Sequence, residues 1–92
     1  MPARKNPQPG LGRAVRQLRQ ERGITQERVA RQAGLHLTWI NRMENGRTNP
    51  TWGSMKRVAW ALKVSLGELA TLAEEKDREK SRAPRRDGSP GS

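Results

Sequence analysis

Residues 25–45, TQERVARQAGLHLTWINRMEN, hold two short helical patterns separated by one glycine-bearing turn. Thr25 carries an N-cap side chain, whose oxygen can satisfy a leading amide of a helix. Arg28, three residues on, does not complete a capping box, which needs Glu or Gln at that position. Glu27 in the first turn still suits the positive end of the helix dipole. Val29, Ala30 and Ala33 follow at helical spacing, and their small size lets another helix approach closely. Gly34 ends the segment, because so tight a reversal tends to need positive φ. A second helix covers roughly 37–45, with Ile40 and Met43 facing inward, and Gly46 closes it.

Outward from this pair the chain stays helical. Leu11, Val15 and Leu18 fall at i, i+4 and i+7, and Gly23 stops that helix. On the other side NGRTNP (45–50) is a loop closed by Pro50, and Thr51 is placed to cap a helix carrying Met55, Val58, Ala59 and Leu62. Lys63 and Val64 make a brief break. Ser65 and Glu68 then form a capping box for a last helix bearing Leu66, Leu69 and Leu72. Short connections between five short helices give an all-α fold class, a compact five-helix domain over residues 10–73. Residues 1–9 (MPARKNPQP) read as a flexible basic arm. Residues 74–92 read as a frayed helix end followed by a charged, largely disordered tail. The central pair, two helices joined by a three- to four-residue turn with Gly, is a helix-turn-helix arrangement.

Charge sharpens this. The 92 residues carry a formal charge of +10. Residues 11–63 hold eleven Lys/Arg against three acids, whereas residues 64–92 hold six of each sign. The positive excess thus lies in the part that folds, and such a field attracts polyanions, nucleic acid first among them. Without Cys there is no thiol nucleophile, and a single His with no Cys argues against a structural zinc site, so no metal or other cofactor is expected. There is no phosphate-binding glycine loop and no carboxylate pair set in a cleft, which argues against an enzyme. No apolar run approaches the ~20 residues a membrane helix needs, and the N-terminus lacks an apolar leader. A cytoplasmic protein, associated with the nucleoid when bound to DNA, is expected.

The ordered set Thr25-Gln26-Glu27, Ala30, Gly34, Ile40, Glu44-Asn45-Gly46, Pro50, Ala59/Leu62 and Val64-Ser65-Leu66 resembles the Cro/C1-type (phage-repressor, Xre-like) helix-turn-helix family over residues 11–72. The resemblance implies double-stranded DNA as partner and a homodimer on a palindromic operator. It also implies roles. Leu37, Thr38, Asn41 and Arg42, on the leading face of the second helix of the pair, would read base edges. Physically, Arg42 suits guanine and Asn41 suits adenine. Thr25, Gln26, His36, Asn45, Arg47 and Thr48 would hold the DNA backbone, with helix N-terminal amides beside Gln26 assisting. Arg19 and Glu44 match a structural salt bridge. Leu66, Leu69 and Leu72 taken singly are more often core than interface, but a short apolar helix at the end of the domain is where the family dimerises, so they are also dimer candidates. Two departures stand out: His36 occupies an N-cap where Ser or Thr is common, and Trp39 replaces a Tyr, Ser or similar residue.

The remaining residues have plainer readings. Arg13, Arg16, Arg22, Arg28 and Arg31 are expected on a solvated face, with one or two touching phosphate. Lys56 and Arg57 are candidate backbone contacts. Trp52 is expected in the core, Trp60 at a core edge or interface, and Arg4 and Lys5 are either a minor-groove arm or unstructured. Function follows as a sequence-specific transcriptional regulator, a repressor that blocks polymerase sterically. The alternatives are an antitoxin that binds a toxin protein through the C-terminal tail as well as DNA, and a coactivator-like bridge without tight operator binding.

Overall fold

The computed structural model describes residues 9–88, with side-chain surroundings as far as Glu79. Arg4 and Lys5, with the minor-groove expectation attached to them, lie outside the described residues, as do residues 89–92. Five helices follow in order: α1 (Pro9–Glu21), α2 (Gln26–Ala33), α3 (Leu37–Glu44), α4 (Trp52–Leu62) and α5 (Leu66–Gly88). No strand occurs among the described residues.

The caps are those the residue types allow. Thr25 Oγ1 accepts from the Arg28 amide at 3.1 Å, and Thr51 Oγ1 accepts from the Ser54 amide at 3.1 Å. Ser65 Oγ accepts from the Glu68 amide at 2.9 Å while the Glu68 carboxylate accepts from the Ser65 amide at 2.8 Å, closing the capping box. Gly34, at φ 71°, makes the left-handed turn between α2 and α3. A Cβ there would be strained by the backbone alone. The same left-handed geometry ends α4 at a residue with a full side chain, Lys63 at φ 63°.

Each helix turns one stripe inward. Val15, Val29, Ile40, Val58, Leu62 and Leu69, one or two from every helix, are the largest fully buried side chains. Burying each contributes about 1.5–3 kcal/mol. α1 is the organising element, lying along α5 and crossing the end of α3, while α2 rests on α4. Two glycines let α1 settle so closely. A Cβ on Gly12 would run into the carbonyl oxygen of Met43 and come within 2.7 Å of that of Glu44. Backbone cannot yield as a flexible side chain does, so Gly12→Ala should lower stability by about 2 kcal/mol, read from a urea titration. Gly10 meets the Ala73 carbonyl and Asp77 in the same way.

Past Leu72 α5 runs on to Gly88. Its first added turn is held because Ala73 packs on the core and Ala73 and Asp77 abut Gly10. Trp52 is not core but 69% exposed. It opens α4, while Trp39, Pro50 and Met55 already close the space beside Leu11, Val15 and Leu69. Trp60, on the same helix, is 70% exposed and borders a hollow with Gln32, Lys63 and Val64.

Candidate nucleic-acid interface

α3 divides cleanly between core and solvent. Ile40, Met43 and Glu44 are buried and Trp39 is half-buried. Leu37, Thr38, Asn41, Arg42 and, just past the helix, Asn45 are all exposed. At 100° per residue these five span a single face. The four residues expected to read bases therefore project together from a short rigid helix. Such a helix is the kind of element that a major groove, about 12 Å wide, admits.

The groups around that face are arranged unevenly. His36 is the N-cap of α3, but its side chain accepts no amide hydrogen bond. The leading amides of α3 thus lack a side-chain acceptor, and they open toward the exposed edge where His36 and Leu37 sit. Thr25 is exposed, its hydroxyl oxygen engaged as the α2 cap. Arg47 is exposed and Thr48 half-buried in the loop after α3. The loop starts tightly, with the Arg47 amide donating to the Arg42 carbonyl at 2.8 Å.

Behind the face lies a buried anion. The Glu44 side chain has no exposed surface. Arg19 grips it through two bonds, Nε to Oε2 at 2.7 Å and Nη2 to Oε1 at 3.0 Å, while its Nη1 donates to the Ile24 carbonyl at 3.0 Å. Gln26, the first residue of α2, adds Nε2 to Oε1 at 2.9 Å, and Arg16 adds Nε to Oε1 at 3.4 Å. Burial opposes ionisation of Glu44 more than any single contact favours it. The hydrogen bonds from Arg19, Gln26 and Arg16, together with the Arg19 charge, outweigh it and hold the carboxyl below the usual glutamate range. This ion pair ties α1 to α3 and sets where the exposed face points.

Arg16 was expected on a solvated face and is instead part of this cluster. The signal was available, since Arg16 lies three residues before Arg19 and so shares its side of α1. Gln26, expected at the DNA backbone, is half-buried with one amide hydrogen committed to Glu44. Among the dimer candidates Leu66 and Leu72 are half-buried against the core, but Leu69 is fully buried within the single chain and has no surface to offer a partner.

Residues 10–72, from the start of α1 into the first turns of α5, match a family model described as a helix-turn-helix domain. The chain belongs to the helix-turn-helix domain family. Relatives of this helix-turn-helix domain include the HTH-type transcriptional regulator y4dJ of Sinorhizobium fredii, 38% identical over 65 residues that cover 71% of this chain and 84% of that protein. The immunity repressor protein of Bacillus phage phi105 is 29% identical over 72 residues, covering 75% of this chain but 50% of the repressor. Among solved structures, the restriction-modification controller protein C.AhdI from Aeromonas hydrophila superposes with a TM-score of 0.66 at 29% identity, covering 67% of this chain and 94% of that one. The controller protein C.Esp1396I, solved as a tetramer with its natural 35 base-pair operator, superposes with a TM-score of 0.70 at 25% identity, covering 75% of this chain and 91% of that one. No helix among the described residues is long and apolar enough to cross a membrane.

Proposed function

We propose that this helix-turn-helix domain is a DNA-binding transcriptional regulator, a repressor acting as a homodimer on a palindromic operator in the cytoplasm. It is a binding module and not an enzyme. One observation carries the reading: Leu37, Thr38, Asn41 and Arg42 share the exposed face of α3 while the opposite face is anchored in the core. Base edges are read by that face, with Arg42 suited to guanine O6/N7 and Asn41 to adenine. Thr25, Gln26, His36, Asn45, Arg47 and Thr48 border it and take the sugar-phosphate backbone, Gln26 through its second amide hydrogen. The +10 formal charge supports a salt-dependent grip on the duplex. Leu66 and Leu72, the half-buried leucines of α5, pair the two copies through what they leave exposed and place two α3 helices one duplex turn, about 34 Å, apart. Transcription is blocked because the dimer occupies DNA that polymerase needs.

Selection of bound duplexes from a random pool tests this directly, and the expected outcome is an enriched inverted repeat. Arg42→Ala should relax preference at one base position by about 1–3 kcal/mol, whereas Gln26→Ala should weaken every sequence, with any further loss confined to the base pair that depends on Asn41. A pool without enrichment at moderate salt refutes the reading.

A further inference from the structure

Five side chains from α1, α2 and the α3 region close a hydrogen-bonded ring at the edge of the candidate interface. Arg16 donates Nε to Glu44 Oε1 at 3.4 Å and Nη2 to Asn45 Oδ1 at 3.1 Å. Asn45 Nδ2 donates to the Asn41 carbonyl at 2.9 Å and reaches Asn41 Oδ1 at 3.4 Å. Asn41 Nδ2 donates to Gln26 Oε1 at 3.4 Å, and Gln26 Nε2 returns to Glu44 Oε1 at 2.9 Å.

The two charged members set the direction of this ring. An ionised carboxylate only accepts and a guanidinium only donates. Gln26 must therefore turn its NH2 toward Glu44, which leaves its Oε1 for Asn41. Asn45 must turn its Oδ1 toward Arg16, which leaves its NH2 for Asn41. Asn41 is thus met by an acceptor on one side and a donor on the other. An unrestrained amide has two orientations, related by a flip that exchanges its oxygen and nitrogen. The ring selects one of them. Adenine in the major groove offers an acceptor and a donor side by side, so the order in which Asn41 presents its own groups matters for recognising it.

We propose that Arg16 and Glu44 are positioning residues for sequence discrimination, holding the Asn41 amide in the orientation that reads a base while touching no base themselves. The proposal rests on α3 being the recognition helix. It differs from the Arg19–Glu44 pair, which ties helices together, because Arg16 binds both the buried anion and a side chain of the interface. An amide ordered before binding does not have to be ordered by the DNA, and discrimination gains from that preorganisation.

The test uses the full chain and its selected duplex. Affinities are compared for that duplex and for one altered at the base pair that depends on Asn41, across a salt series, for the parent, Arg16→Ala, Arg16→Lys and Asn41→Ala. Arg19 stays in place, so the Arg16 variants should keep the parent's circular dichroism spectrum. Arg16→Ala is expected to reduce the matched-to-mismatched ratio about fivefold to tenfold with the salt slope unchanged. Arg16→Lys should lose the ratio likewise, since an ammonium keeps the charge but not the planar fork that spans two acceptors. In the Asn41→Ala background, Arg16→Ala should no longer alter the ratio. A uniform loss of affinity with a salt slope lower by about one would mean that Arg16 simply grips a phosphate, and would overturn the proposal. An unchanged ratio would overturn it too. Nitrogen-15 relaxation of the Asn41 side-chain amide supplies a readout free of DNA: rigid in the parent and mobile in Arg16→Ala. A mobile parent amide removes the ring whatever DNA does. A rigid amide in a chain that selects no sequence places the failure in the DNA reading and overturns the discrimination role with it.

Discussion

Arg19→Ala is expected to cost about 3 kcal/mol of folding stability, because it strips the main partner from a carboxylate that has no exposed surface. Arg19 supplies both of the shortest Arg–Glu44 contacts, at 2.7 and 3.0 Å, and it also satisfies the Ile24 carbonyl. Arg16 cannot compensate fully, since its Nε lies 3.4 Å from Glu44 and its side chain is 42% exposed. A urea titration of the two proteins gives the difference. A cost below about 0.5 kcal/mol would show that water reaches Glu44 and that the bridge contributes little. The pH dependence has a definite sign. Glu44 has a folded pKa below its unfolded value, so the ionised form stabilises the fold. That contribution is complete above the ordinary glutamate value of about 4.3 and disappears as pH falls through the lower folded value. The parent should therefore lose stability on acidification in that range, and Glu44→Gln should flatten the loss.

Leu69→Ala is the second large effect, expected near 3 kcal/mol. Leu69 is fully buried and lines one small interior gap with Leu11, Val15, Trp39, Met43, Pro50, Met55 and Val58. Truncation would enlarge a space bounded by α1, α3, α4 and α5 together, where no single side chain can fill it. Its cost should be the same at every protein concentration, since Leu69 belongs to the fold of one chain. A cost that shrinks on dilution would place Leu69 at a subunit interface instead. Leu66 and Leu72, half-buried on the same helix, carry the concentration dependence if α5 joins two copies.

Much of this arrangement is encoded locally. Thr25, Thr51 and Ser65 with Glu68 announce helix starts because a cap is a bond between residues three apart. Gly23, Gly34 and Gly46 announce the ends because positive φ is cheap only for glycine. The exposed face of α3 follows from where Ile40 and Met43 must go. The pairing of Arg19 with Glu44 is legible only through the family pattern and not from spacing, since 25 positions separate them along the chain.

The chain's own order of residues was therefore enough for five helices, their caps, the turn between α2 and α3 and the stripe that α3 presents, all of which depend on neighbours within a few positions. Packing alone left Trp52 outside and drew Arg16 into contact with Glu44 and Asn45. Those outcomes turn on which distant side chain reaches a shared space first, and on whether two backbones can come as close as Gly12 lets α1 come to Met43 and Glu44. Helical periodicity tells which way a side chain points, but the occupant of the space it points into comes from elsewhere in the chain.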